Sequence, residues 1–216
     1  TEFFDFAASV SIAGIPHDNS IGLYTVSGGV GALMADAASQ QGMAVTELSA
    51  SAQATLRDWV PFCAPRNPVD ITGQITNDPS LIERSAALML ADRPFGAWMG
   101  FMAAAGASPA FWPVLTKLVA SLKEQFPQTV LAISTLLSPA RRAELEAMGC
   151  LVFTDPSAGI NTLASLAKLR QSFDTTASPD TASTPSIATV NLPSSPLSES
   201  QSLAMLKAAG IPVAEH

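Results

Sequence analysis

The 216-residue sequence predicts an α/β protein built on a doubly wound parallel sheet with helices on both faces. Three observations carry that prediction. From residue 1 to about 171, short apolar runs alternate with longer amphipathic ones, the pattern of strands joined by crossover helices. Hydrophobic residues make up 48% of the chain and charged residues 13%, enough apolar surface to bury one sizeable core. A strand-like run, Ile21-Gly22-Leu23-Tyr24-Thr25-Val26, passes directly into Ser27-Gly28-Gly29-Val30-Gly31 and then into a helix-like run, a junction such sheets use at their carboxyl edge.

Six strands are expected, over residues 21–26, 44–47, 69–72, 96–102, 129–134 and 151–153. The first leads into a helix over 30–41 that stops at Gly42, a residue able to take the left-handed cap conformation. Ser49 is placed to cap a short helix reaching Trp59; Ala52 lacks the side chain of a capping-box partner, and Pro61 and Pro65 end the segment. Helices over 79–91, 109–125 and 139–148 each open on Ser or Asp beside a proline: Asp78-Pro79, Ser108-Pro109 and Ser138-Pro139. The second of these carries Trp112, Leu115, Leu118, Val119 and Leu122 at helical spacing, a core face. A last helix is expected over 157–171.

Composition then changes. Residues 172–196 are rich in Ser, Thr, Pro and Ala and read as a linker, because they cannot bury enough surface to offset the entropy of ordering. Leu197-Ser198-Glu199-Ser200-Gln201 opens a further helix reaching Ala209, with Gly210 and Pro212 at its end. Nothing beyond can close a second core. The expected organisation is a domain over 1–171, a linker over 172–196, and over 197–216 the truncated first helix of a following domain, so that the chain is a fragment of a longer polypeptide.

Eleven basic residues against 18 acidic ones give a formal charge of −7, and no Lys/Arg cluster is present, which argues against a nucleic-acid partner. No apolar run reaches the roughly 18 residues of a membrane span, and Thr1-Glu2-Phe3-Phe4-Asp5 lacks the basic start of a signal peptide; no membrane association and a cytoplasmic location are expected. Cys63 and Cys150 are too few and too far apart for a disulfide framework or a zinc site. His17 and His216 have no neighbours at metal-ligand spacing, so no metal site is expected, and His17 reads as an exposed loop residue.

The glycine turn has the makings of an anion cradle. Glycines let a ligand approach the backbone, and the first amides of the following helix point outward with the positive end of the macrodipole. Neither common nucleotide signature is met: Met34 stands where a dinucleotide fingerprint needs its third glycine, and no Lys-Ser/Thr pair completes a P-loop. Two readings therefore stay open, a phosphoryl site at Ser27, Gly28, Gly29, Val30 and Gly31, or a tight strand-to-helix connection. A second polar cluster, Asn67-Pro68-Val69-Asp70-Ile71-Thr72-Gly73, closes another strand. In a doubly wound sheet this places Asp70 and Thr72 on the same edge as the turn, so that Asn67, Asp70, Thr72 and Gly73 become candidates to line one crevice. Asp70 could orient an imidazole or hydroxyl of a partner domain, or cap the turn beyond its own strand.

Ser27-Gly28-Gly29-Val30-Gly31-Ala32-Leu33-Met34-Ala35-Asp36-Ala37, followed by Gly42, Glu47-Leu48-Ser49 and Asn67-Pro68-Val69-Asp70-Ile71-Thr72-Gly73, resembles the second flavodoxin-like ligase module of the NDP-forming (ADP-forming) acyl-CoA synthetases, relatives of succinyl-CoA synthetase. The segment from Leu197 to Val213 is similar to the opening helix of that family's ATP-grasp domain. The resemblance implies a flavodoxin-like fold and a reaction in which acyl-CoA and phosphate give an acyl phosphate, a histidine takes the phosphoryl group, and a mobile loop carries it to ADP. It implies that the whole enzyme uses ATP/ADP, Mg and CoA, none of them bound by this fragment alone. The partners implied are the CoA-binding, histidine-bearing and ATP-grasp domains of the same polypeptide. The turn would help hold the phosphohistidine, stabilising its charge by about 1 to 2 kcal/mol beyond water. The family's phosphorylated histidine lies in a Ser-Ser-His-Thr-Gly-like segment that neither His17 nor His216 matches, so no catalytic residue is assigned here and the fragment alone is expected to be inactive. Two rivals are a scaffold or ligand-sensing module of a lysine acetyltransferase with a degenerate synthetase region, and a stand-alone flavodoxin-like module for a small ligand.

Overall fold

A computed structural model describes residues 2–177 and 195–213. The chain divides into two compact units, Thr1–Thr176 and Ala177–His216.

The first unit is a parallel five-stranded sheet. Its strands are β1 (Ile21–Thr25), β2 (Val69–Asp70), β3 (Ala97–Phe101), β4 (Val130–Ser134) and β5 (Cys150–Phe153), in the order β2-β1-β3-β4-β5. The order reverses at β1, which makes its carboxyl end the switch point where such sheets open a crevice. Pairing sets Tyr24 opposite Val69 and Thr25 opposite Asp70 on one side of β1, and Thr25 opposite Phe101 on the other. Among the described residues seven helices accompany the sheet: α1 (Glu2–Ala13), α2 (Gly28–Gln40), α3 (Ala50–Trp59), α4 (Ser80–Asp92), α5 (Trp112–Gln125), α6 (Pro139–Ala147) and α7 (Pro156–Ala177).

Alternation along the strands divides the core in two. Tyr24, Trp98, Leu131, Ile133, Cys150 and Val152 face a layer containing Leu56, Met89, Leu118 and Leu145 of α3, α4, α5 and α6. Ile21, Leu23, Met99, Ala132 and Leu151 face the other, with Met34 of α2, Leu163 of α7 and Phe6 and Val10 of α1. Strands buried on both faces are what a parallel sheet covered by crossover helices requires. Leu115, Leu118, Val119 and Leu122 are buried as the helical spacing predicts, with Trp112 partly buried beside them.

The structure differs from the sequence expectation in three places. Residues 44–47 form no strand, only a single parallel bridge from Ala44 to Ser20. The Asn67 side chain occupies the place of a further strand: its Nδ2 donates to the Ile21 and Thr46 carbonyls, each at 2.9 Å, and its Oδ1 accepts the Leu23 amide at 2.9 Å. The helix expected from Pro109 starts at Trp112: residues 109–111 form a turn, and Pro113 rather than Pro109 stands in the first turn of the helix. Helix α1 was not anticipated, although Phe6, Val10 and Ala13 recur at the spacing of one helical face and pack on the core.

The final helix of the first unit, expected over 157–171, extends over Pro156–Ala177. Much of the proposed linker, residues 178–194, lies outside the described residues. In the second unit α8 (Glu199–Ala208) opens with a complete capping box between Ser198 and Gln201 and ends before Gly210, whose φ is +80°.

Candidate functional site

The crevice forms because β1 and β2 end side by side. Thr25 closes β1, and α2 begins at Gly28 with Ser27 in the N-cap position. The first amides of an α-helix lack intrahelical acceptors, and those of Gly28, Gly29 and Val30 have none elsewhere among the described residues. Gly28 and Gly29 are exposed. Three donors at the positive end of a 13-residue helix thus stand without a protein acceptor at the carboxyl edge.

The other two members of the expected cradle are engaged internally. The Ser27 amide donates to Thr25 Oγ1 at 2.9 Å, and the Gly31 amide donates to the Ser27 carbonyl at 3.0 Å. Gly31 is buried, and its lack of a side chain serves packing: a Cβ there would stand 3.0 Å from Thr25 Cγ2 and 3.4 Å from Pro68 Cβ. The Ser27 hydroxyl makes no capping bond. An N-cap serine ordinarily contributes about 1 kcal/mol to its helix by closing on these amides, so α2 forgoes that stabilisation.

The register that sets Asp70 opposite Thr25 also brings the Asp70 carboxylate to the turn. Its Oδ2 lies 3.1 Å from the position a Cβ on Gly28 would take. Its Oδ1 accepts the Thr72 amide at 2.8 Å, so Asp70 both braces the turn after β2 and presents an oxygen to the crevice. Thr72 takes a left-handed backbone, φ +59°, and Ala103, just beyond β3, takes φ +46°. These two left-handed non-glycine residues stand after the strands on either side of β1, and such conformations concentrate at functional sites. Gly73 is exposed with open space about it, and its carbonyl accepts the Thr76 hydroxyl at 2.8 Å. Asn67 is 8% exposed and bonded along β1 from Ile21 to Leu23, away from the crevice.

Thr25 also belongs to the turn, outside the motif from Ser27 to Gly31. Its hydroxyl donates to the Ser27 carbonyl at 2.9 Å as well as accepting the Ser27 amide. A threonine two residues before a turn serine is the available signal, since Ser/Thr hydroxyls bond to nearby backbone at that separation.

His17 lies in the loop before β1, at the opposite edge of the sheet, with Nε2 3.1 Å from the Pro94 carbonyl. It cannot reach the turn, and His216 lies outside the described residues. Among the described residues no group of three or more His, Cys, Asp or Glu could hold a metal, and no helix is long and apolar enough to cross a membrane.

Similar architecture is found in PH0766 from Pyrococcus horikoshii OT3, at 18% identity and a TM-score of 0.65, covering 79% of this chain and 40% of that one. It is found again in the dinucleotide forming acetyl-coenzyme A synthetase 1 of Ca. Korarchaeum cryptofilum in its apo form, at 19% identity and a TM-score of 0.66, covering 82% of this chain and 40% of that one. The same enzyme in complex with phosphate and ADP matches at 19% identity and a TM-score of 0.66, covering 82% and 39%. At this identity the likeness establishes the fold, and the chain spans about 40% of the length of the solved proteins it matches. No curated protein matches the sequence. Residues 21–153, from the first residue of β1 to the last of β5, match the Ligase-CoA domain, and the chain belongs to that family.

Proposed function

We propose that the chain is the second CoA-ligase module of an NDP-forming acyl-CoA synthetase, and that the opening of α2 helps hold a phosphoryl group, or a phosphohistidine, supplied by another domain of the enzyme. The observation that carries this reading is the set of open amides at Gly28, Gly29 and Val30, which the Ser27 side chain leaves uncovered.

In the implied reaction a phosphate oxygen attacks the thioester carbon and the C–S bond breaks, giving acyl phosphate and CoA. A histidine nitrogen then attacks phosphorus as the carboxylate leaves, and the terminal oxygen of ADP takes the phosphoryl group as the P–N bond breaks. This chain forms none of those bonds. Its part is electrostatic: donors set before the charge arrives stabilise a phosphoryl oxygen without reorganising. Asp70 Oδ2 stands beside those donors, and in this reading it would accept an N–H from the imidazole that carries the phosphoryl group. Amides for the anion and a carboxylate for the ring would together distinguish a phosphorylated imidazole from free phosphate.

Amide spectra of the 15N-labelled chain during titration with inorganic phosphate test the cradle. The Gly28, Gly29 and Val30 resonances are expected to shift in a saturable way, and a chain whose turn ignores phosphate sinks the proposal. Incubated alone with acyl-CoA, phosphate and ADP, the chain is expected to make no ATP; sustained turnover would contradict the assignment of the nucleophile to another domain.

A further inference from the structure

Among the described residues three serines cap their helices in one conformation. Ser49, Ser138 and Ser198 have φ of −60°, −70° and −68° with ψ of 156°, 156° and 163°, and each accepts the backbone amide three residues on. Ser27 holds the same position on α2 but has φ −147° and ψ 111°, and it caps nothing.

A contact that accompanies the difference lies two residues upstream. Thr25 is fully buried, and its Oγ1 accepts the Ser27 amide and donates to the Ser27 carbonyl, both at 2.9 Å. One hydroxyl thereby clasps both backbone polar groups of Ser27 and holds its backbone away from the conformation the other three serines share. The Thr25 methyl has a separate contact, since Cγ2 faces Gly31 in the first turn of α2.

We propose that Thr25 is a positioning residue of the phosphoryl cradle: its hydroxyl prevents Ser27 from capping its own helix and so keeps the amides of Gly29 and Val30 open to an external anion. This rests on the reading of the turn given above. It makes the absence of a cap a consequence of Thr25, and it predicts that losing one buried hydroxyl closes the site while leaving the fold intact.

Two substitutions separate the functions of the side chain. Thr25→Val keeps the methyl beside Gly31 and removes the hydroxyl; Thr25→Ser does the reverse. In T25V, Ser27 is expected to relax onto its helix, so that hydrogen exchange of the Gly29 or Val30 amide slows and phosphate affinity falls at least tenfold. T25S is expected to match the wild type in both measurements. Adding Ser27→Ala to T25V removes the new cap, and fast exchange and phosphate response should return. Where valine is not tolerated, Thr25→Ala gives the same comparison, with retention of amide shifts elsewhere as the folding control. Unchanged exchange and unchanged phosphate affinity in T25V overturn the inference while leaving the cradle standing. A wild-type chain indifferent to phosphate overturns the cradle itself and the functional half of the inference; the exchange rates then still decide whether Thr25 controls the Ser27 cap.

Discussion

Asp70 Oδ2 lies 3.1 Å from where a Cβ on Gly28 would stand, so a carboxylate and the positive end of α2 share one crevice. Residues 42 positions apart meet there because β1 and β2 run parallel with Thr25 opposite Asp70. The juxtaposition has opposite consequences for a bare anion and for an anion joined to a hydrogen-bond donor.

Asp70→Asn is expected to tighten binding of inorganic phosphate by removing a repulsive charge. At about 5 Å and a water-like dielectric the repulsion is roughly 0.8 kcal/mol, a factor of about four in affinity. Phosphate titrations of both proteins at low and high salt check this, and the difference should shrink as ionic strength rises. Weaker binding by D70N would show that Asp70 supports the anion, and would remove the argument for its contact with a ring N–H.

Asn67→Ala is expected to cost about 2 to 4 kcal/mol of stability, because the Leu23 amide and the Ile21 and Thr46 carbonyls lose their partner together. Urea unfolding should show a lower midpoint with little change in slope. A midpoint within experimental error of the wild type would mean that water replaces the side chain at no cost.

The two thiols should differ in reactivity. Cys150 is fully buried, and burial pushes its thiol up to about 12, so it stays protonated and inaccessible at neutral pH. Cys63 is partly exposed; burial raises its thiol too, opposed by the nearby Arg57 charge. An aromatic disulfide reagent should titrate one thiol slowly in the native protein and two in denaturant, and Cys63→Ala should abolish the native reaction. Two reactive native thiols would contradict the burial of β5.

Glu83 of α4 bonds to Lys117 of α5 at 2.7 Å, and this bond holds its carboxyl below the usual value of 4.5. A carboxylate whose folded pKa is depressed adds stability above its unfolded value, and that stability is lost as the pH falls through the folded value. Glu83→Gln should therefore narrow the stability difference between pH 6 and pH 3, with the two proteins converging at the acid end. Chemical unfolding across that interval measures the difference; identical pH profiles would show that the ion pair contributes nothing.

Much of this was legible from local chemistry. The strand-to-helix junction at Ser27 to Gly31, the stop at Gly42 with φ +77°, the caps at Ser49 and Ser138, and the capping box at Ser198 each depend on residues within a few positions of one another. Short-range preferences of glycine and serine and the periodicity of apolar side chains suffice for such features. Burial of Leu115, Leu118, Val119 and Leu122 follows from the same periodicity.

Other features depend on groups far apart in sequence. Asn67 replaces the pairing expected of residues 44–47 because its amide lies beside β1, a fact of registration that no local pattern encodes. Gly31 is likewise buried against Pro68, from the neighbouring strand connection, whereas the Thr25 hydroxyl that engages Ser27 acts within two positions. The residues alone determined a parallel α/β sheet with a glycine turn at its carboxyl edge, since helix stops, caps and apolar periodicity act within one element. Assembly of the sheet decided that Asp70 stands beside the open amides of Gly28, Gly29 and Val30, because hydrogen bonding between strands sets distances that sequence separation does not.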